Sequence, residues 1–367
     1  MRQSIDILLL CHLQGNGGTQ SWTKEYISFF PDECFHLYPI DIAPDKLSTH
    51  FNGIDSWVYG TKAFVRAYVN IRKLLHNNPQ ILLMHTMTSG GTGVFRDYFL
   101  GRLCKRRGLK IILHCHFGSI SALYKSNKMK GKWFRKVLNI YDQIWVLDRR
   151  SESFLSSQHN LNGKVFLTPN PISVPETCDF SPKSYKRIGF VGNILPSKGI
   201  FELMEAIMQF NDDTKLFIAG EGSEDDKNKV NKLIESERGK NICFMGCLTN
   251  QDAVKLIESL DILALPTYYD LEAFPISILE AMSRGKLVIS CPRAAIPDML
   301  TISDGDYCGI LIKEKSSQTI ADAIRWCQQH PGEADKMCRK AFEKVRCCYR
   351  QEVVYNQYRE NYKIALR

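Results

Sequence analysis

Glu272 and Glu280 stand eight residues apart in the run DLEAFPISILEAMSRGKLVIS, residues 270–290. The run reads as an irregular acidic loop, a helix from about Pro275 to Arg284, and a strand ending at Ser290. Pro275 falls where a first helical proline belongs, because its missing N–H would have no partner there in any case. Gly285 supplies the stop. Glu272 therefore precedes the helix and Glu280 lies in its second turn. The unpaired N–H groups at the helix start carry the positive end of the dipole. Such a place suits an anionic leaving group such as a nucleotide diphosphate. Two carboxylates beside it can hold the hydroxyls of a sugar and of a ribose. A surface loop followed by an ordinary amphipathic helix would give the same spacing, so the surroundings decide.

Those surroundings are two series of alternating strands and helices. In the first, short apolar runs at 5–11, 34–40, 54–59, 80–85, 110–115, 143–147 and 164–168 read as strands. Helical patterns fill 18–29, 61–76, 92–107, 130–140 and 150–158. Residues 169–186 are rich in proline and serine and lack a helical period, which reads as a linker. The second series has strands at 187–192, 214–219, 241–245, 261–265, 286–290 and 308–312, and helices at 198–209, 225–237, 250–258, 275–284, 317–329 and 333–347. The segment from about 350 is helical and carries Tyr355, Tyr358 and Tyr362. The fold class is α/β, with two doubly wound Rossmann-like domains facing a central cleft where ligands collect at the strands' carboxyl ends. The expected domains are 1–170 and 187–347, with a linker at 171–186 and a last helix at 348–367.

Five further segments carry polar chemistry at strand ends. Gln14-Gly15-Asn16-Gly17-Gly18-Thr19 follows the first strand, and its glycines let backbone approach a phosphate. The GxGxxG spacing of a dinucleotide fold is absent. His116 ends the run IILHCHFGS, while His114 and His85 lie in strand segments and read as structural. A core or capping role for His116 is the plain alternative. Asn193 ends RIGFVGN, and Lys198 and Gly199 follow it; Lys198 alone could be a solvated helix-start lysine. Glu221, in AGEG, and Gly246 and Leu248, in FMGCL, follow the next two strands.

Taken in this order, the segments resemble the family 4 glycosyltransferases of the GT-B fold, and residues 272–280 resemble that family's EX7E motif. The resemblance covers nearly the whole chain and is strongest over 187–290. It implies retaining, metal-independent transfer from a nucleotide sugar to a hydroxyl acceptor, with no cofactor. By resemblance, Lys198 grips the diphosphate, Glu272 holds sugar hydroxyls and stabilises developing positive charge, Glu280 holds the ribose, and His116 touches the transferred sugar. Gly17, Gly18, Asn193, Glu221, Gly246, Leu248, Phe274 and Ile276 line the donor site. Asn193 departs from the pattern, standing where arginine is usual and removing a bidentate charge. The family's last helix crosses back to the first domain, so residues 348–367 are expected to pack there.

The chain has 367 residues and a net charge of +9. Residues 1–175 hold 22 Lys and Arg against 11 Asp and Glu, whereas the remainder holds 26 against 28, so the excess belongs to the first half. That asymmetry points to an anionic partner. Residues 125–136 carry six positive charges, among them Lys128, Lys130 and Lys132, with Trp133 beside them. Together with Arg96 they are the expected acceptor and membrane contacts, although a solvated basic helix would look the same. The expected partners are a nucleotide sugar, a glycan or lipid-linked glycan acceptor and an anionic membrane surface; no nucleic-acid motif occurs. Thirteen cysteines without a CxxC pair read as reduced and mostly buried, and no metal site is expected. The first apolar run is interrupted by Asp6 and leads into the glycine loop, so it reads as a buried strand rather than a leader. The expected setting is cytoplasmic, peripheral at the membrane face, in surface polysaccharide biosynthesis. Transfer to a small soluble acceptor and a catalytically silent scaffold are the alternatives.

Overall fold

The computed structural model describes residues 4–13, 18–44, 53–211 and 213–367, with the side chains of residues 18 and 53–58 outside the description. The chain divides into two compact units, 1–169 with 355–367 and 170–354. In chain order the first unit holds β1 (Ile5–Cys11), α1 (Gly18–Phe29), β2 (Phe35–Asp41), α2 (Gly53–Asn77), β3 (Leu83–Thr88), α3 (Gly93–Arg106), β4 (Lys110–Cys115), α4 (Ile120–Lys125), α5 (Met129–Ile140), β5 (Gln143–Val146), α6 (Arg149–Ser156) and β6 (Val165–Leu167). Its six strands pair in the order β2-β1-β3-β4-β5-β6, all parallel. Helices cover parallel sheets on both faces, so central strands read as unbroken apolar runs. ILLLC of β1 is buried throughout.

The second unit holds β7 (Arg187–Val191), α7 (Ile200–Ile207), β8 (Lys215–Ala219), α8 (Glu224–Ile234), β9 (Ile242–Phe244), α9 (Asn250–Glu258), β10 (Ile262–Leu265), α10 (Ile276–Met282), β11 (Leu287–Ser290), α11 (Ile296–Leu300), the hairpin β12 (Thr301–Ser303) and β13 (Asp306–Tyr307), β14 (Ile310–Leu311), α12 (Ser317–Gln329) and α13 (Pro331–Cys348). The sheet order is β14-β11-β10-β7-β8-β9, again parallel. Strand order reverses between β7 and β10, which is where open α/β sheets bind ligands. The last helix, α14 (Gln351–Leu366), belongs to the first unit from Tyr355 onward.

The segment expected as a strand at 54–59 is instead the start of α2. A short apolar run cannot be told from a helix by itself. Ala63, Ala67, Ile71 and Leu75 repeat every four residues and are all buried, so one continuous helix covers the sheet. β3 lies at 83–88 rather than 80–85, in register with β4 from Leu83 to Thr88. The short helices α4 and α11 and the β12–β13 hairpin had no counterpart in the sequence reading. All thirteen cysteines are free, but Cys243, Cys247, Cys347 and Cys348 are exposed.

The C-terminal helix enters a buried aromatic and histidine core. The Tyr362 hydroxyl lies 2.5 Å from both the Tyr26 hydroxyl and His85 Nδ1. Tyr358 donates to the Pro169 carbonyl at 2.9 Å, and Gln143 donates to the Asn361 carbonyl at 2.9 Å. His114 stands between His85 and His116, with ring centroids 5.3 and 4.1 Å away. Burial, followed by the neighbouring His116, pushes His85 down to about 3; burial, followed by His12, pushes His116 down to about 3. His114 is lowered by the same burial.

These histidines are neutral in the folded chain and take up protons near pH 6.5 when unfolded. Their depressed folded values make the stability present above pH 6.5 and remove it as pH falls toward 3. Each is expected to cost about 1 kcal/mol per pH unit below 6.5. Thermal unfolding between pH 7.5 and 5 should show that loss, and His85→Gln, which keeps a partner for Tyr362 but takes no proton, should reduce it by about a third. A wild-type curve that is level over this range would contradict the assignment.

Candidate functional site

The loops at the carboxyl ends of the second sheet are laced into one rim. Gly192 N donates to the Ala219 carbonyl at 3.1 Å, Ile194 N to the Glu221 carbonyl at 2.7 Å, and Gly220 N to the Gly246 carbonyl at 2.9 Å. Tyr268 N donates to the Ser197 carbonyl at 2.8 Å, and Ala295 N to the Ala273 carbonyl at 3.2 Å. Gly220 is pressed against this lacing, since a Cβ there would sit 1.8 Å from the Gly192 carbonyl oxygen. The rim brings together the loops carrying Asn193, Lys198, Glu221, Gly246 and Glu272.

Lys198 and Glu272 meet at the topological reversal. Lys198 ends a 3-10 turn, Pro196–Lys198, and Gly199 follows in the left-handed region at φ 77°. A Cβ at Gly199 would fall 2.3 Å from the Pro266 carbonyl oxygen, so only glycine lets the loop after β7 close on the loop after β10. Lys198 Nζ then reaches Glu272 Oε2 at 2.5 Å, with the side chains 14% and 8% exposed. Tyr269 adds its ring, 5.3 Å from Lys198 Nζ, a contact the sequence reading did not single out. Removing either partner of so sheltered a pair would leave an uncompensated charge, at a cost of about 3 kcal/mol.

The other expected donor-side residues occupy the same unit. Pro275 is the cap of α10 rather than its first helical residue, and α10 runs from Ile276 to Met282. Phe274 is buried against Tyr349, with ring centroids 5.7 Å apart. Ile276 opens the helix, and Glu280 lies half-buried on it. Asn193 is exposed, and Leu248 is half-buried in the loop after β9. Glu221 is engaged by Lys227 at 3.1 Å, and that hydrogen bond holds its carboxyl below the usual range. Arg293, also not singled out from the sequence, pairs with Glu314 at 2.6 Å. A separate hollow of about 470 Å³ in this unit is lined by Tyr307, Ile310, Trp326 and Met337, and none of the rim residues above lines it.

The first unit holds the remaining candidates. His116 follows β4, its N–H donating to the Thr88 carbonyl at 2.8 Å. Its Nε2 is buried without a hydrogen-bond partner among the described residues. Gly18 opens α1, and Gly17 lies outside the described residues. Arg96 is largely buried: its guanidinium donates to Asp97 Oδ1 at 2.8 Å and reaches His12 Nε2 at 3.4 Å. Burial, then the Arg96 charge, pushes His12 down to about 4. Lys128, Lys130 and Lys132 are exposed. Trp133 is half-buried, packed edge-on and tilted among Phe95, Tyr98 and Phe99 with Lys136 4.8 Å from its ring centroid.

Known proteins with similar sequences and folds point the same way. The model of the family described as glycosyl transferases group 1 matches residues 179–345. D-rhamnosyltransferase WbpZ of Pseudomonas aeruginosa is 27% identical over 157 residues, 43% of this chain and 40% of that protein. The putative colanic acid biosynthesis glycosyltransferase WcaL of Escherichia coli is 24% identical over 196 residues, 51% of this chain and 45% of that protein. The chain thus spans less than half the length of these curated relatives. Among solved structures, sucrose-phosphate synthase from Thermosynechococcus elongatus aligns with a TM-score of 0.77 at 17% identity, covering 99% of both chains. HepE of Anabaena in complex with UDP-glucose aligns at 0.72 and 14%, covering 98% of this chain and 99% of that one. The second unit thus carries the match to the glycosyl transferases group 1 family, and the two parallel-sheet units of six strands have the GT-B fold.

Proposed function

We propose that the chain is a retaining, metal-independent glycosyltransferase that moves a sugar from a nucleotide sugar to a hydroxyl of a lipid-linked glycan in surface polysaccharide biosynthesis. The observation that carries the donor half of this reading is the Lys198–Glu272 pair at the β7/β10 reversal. A lysine ammonium suits the diphosphate as a point charge, and a carboxylate suits sugar hydroxyls. The first backbone N–H groups of α10, beside Phe274, would share the diphosphate charge. Preorganised positive charge facing a departing phosphate is an electrostatic form of catalysis that needs no metal. Glu272 would also meet positive charge developing on the sugar, and Glu280 would hold the ribose. His116 is neutral at pH 7, and its buried Nε2, which has no hydrogen-bond partner among the described residues, would accept from a hydroxyl of the transferred sugar.

Two of the relatives support the pathway by name. WcaL is named for colanic acid biosynthesis and TuaC of Bacillus subtilis for teichuronic acid biosynthesis. HepE has been solved with UDP-glucose, which makes a uridine donor the first to try.

For the acceptor, the basic segment supports a peripheral position at the cytoplasmic membrane face. Among the described residues no helix is long and apolar enough to cross a membrane. Met129 is 66% exposed between Lys128 and Lys130, and Phe99 is 48% exposed beside Trp133. Lysines around exposed apolar side chains suit an anionic interface.

Nucleotide release from a panel of UDP-, GDP- and ADP-sugars tests the activity. Wild type is expected to hydrolyse one donor slowly, and Glu272→Ala to lose at least about a hundredfold of that rate. A panel in which no donor turns over and no nucleotide shifts the unfolding temperature would favour the scaffold alternative. Flotation with anionic vesicles tests the membrane half. Changing Lys128, Lys130 and Lys132 together to Glu should abolish flotation; equal flotation of wild type and variant would remove this segment as the anchor.

A further inference from the structure

The donor reading gives Lys198 and Glu272 separate tasks, yet each is the other's partner at 2.5 Å. The backbone around them is pinned. Ser197 accepts from Tyr268 N at 2.8 Å, Glu272 N donates to the Tyr269 carbonyl at 3.0 Å, and Gly199 is wedged on Pro266. The lysine side chain is the part that can turn, since it is a point charge on a flexible four-carbon stem.

We propose that Lys198 is an exchange latch that separates intact donor from spent nucleotide, an inference that rests on the donor-site reading above. Without nucleotide, Lys198 neutralises Glu272. When a nucleotide sugar binds, its diphosphate takes Lys198, and the freed carboxylate takes the sugar hydroxyls. Both charges are satisfied again. A bare nucleoside diphosphate can complete only the first half of this exchange. It draws Lys198 away and leaves a sheltered carboxylate with no partner beside a second anion, which is costly. Lys198 therefore returns to Glu272 once the sugar has left, and the nucleotide product is expelled. No bond is made or broken in the exchange; the lysine keeps its protons and changes partner.

Calorimetric binding of UDP, GDP and ADP to the full chain tests this, with wild type, Glu272→Gln, Lys198→Met and the double variant. Glu272→Gln keeps the shape and removes the competing charge. It is expected to bind the preferred nucleoside diphosphate about fivefold tighter or more, in the range of coupling between linked sites. In the Lys198→Met background the same change should give little or no gain, because no lysine remains to be released. Failure of Glu272→Gln to tighten binding, or an equal gain in both backgrounds, would overturn the exchange. Thermal unfolding confirms that each variant is folded, and Lys198→Gln replaces Lys198→Met if the latter is not. If wild type binds none of the three nucleotides and no nucleotide sugar, the donor-site reading falls and the latch with it. Binding by wild type without a gain from Glu272→Gln removes the latch alone.

Discussion

The close approach of Gly199 to the Pro266 carbonyl is the constraint on which the candidate site depends. A side chain at residue 199 would collide at 2.3 Å, and the left-handed backbone there favours glycine as well. That contact lets the loop after β7 lie on the loop after β10, where the strand order reverses. Lys198 and Glu272, 74 residues apart in the chain, become direct partners as a result. The surrounding lacing from Gly192 to Ala219 and from Gly220 to Gly246 extends the same principle around the rim, with small residues admitting backbone to backbone. Charge is then presented from pinned loops, which is what preorganisation requires.

The first unit is stabilised by different means. Its sheet is as apolar as the second, but between β3, β4, α1 and α14 it buries a set of polar aromatic groups. Tyr26, Tyr362 and His85 share hydrogen bonds, and Trp22 lies edge-on to His114 at 5.4 Å. Such a core fixes α14 in one position more strictly than apolar packing would, because each hydroxyl and ring nitrogen accepts few placements. Its cost is that the histidines must stay neutral.

The loops that carry the candidate residues were legible in the sequence. Lys198 and Glu272 stand in the loops after β7 and β10, an order that a parallel sheet converts into spatial neighbours, while Glu280 lies on α10. Regular elements in the second half, such as α9 and α12, fall where the apolar period puts them. The failures have physical causes. The run at 54–59 is too short to declare its period, and the sheet, by burying Ala63, Ala67, Ile71 and Leu75, made it helical. The partners of Arg96, expected as an acceptor or membrane contact, are set by tertiary folding: His12 lies 84 residues away in the chain, and Asp97 is drawn into the core. The direct pairing of Lys198 with Glu272 could not be read from spacing, since it depends on a left-handed glycine and a proline carbonyl in another loop. Tyr269 and Arg293 carry no motif and emerge only from packing.

Hydrogen–deuterium exchange with and without saturating nucleotide sugar tests the central claim most directly, because it locates the donor without assuming any residue's role. Backbone amides over 193–200 and 266–282 are expected to gain protection together, as one laced rim closing on one ligand. Protection confined to the residues around the hollow of Tyr307, Trp326 and Met337, with the Lys198 and Glu272 segments unchanged, would contradict the account.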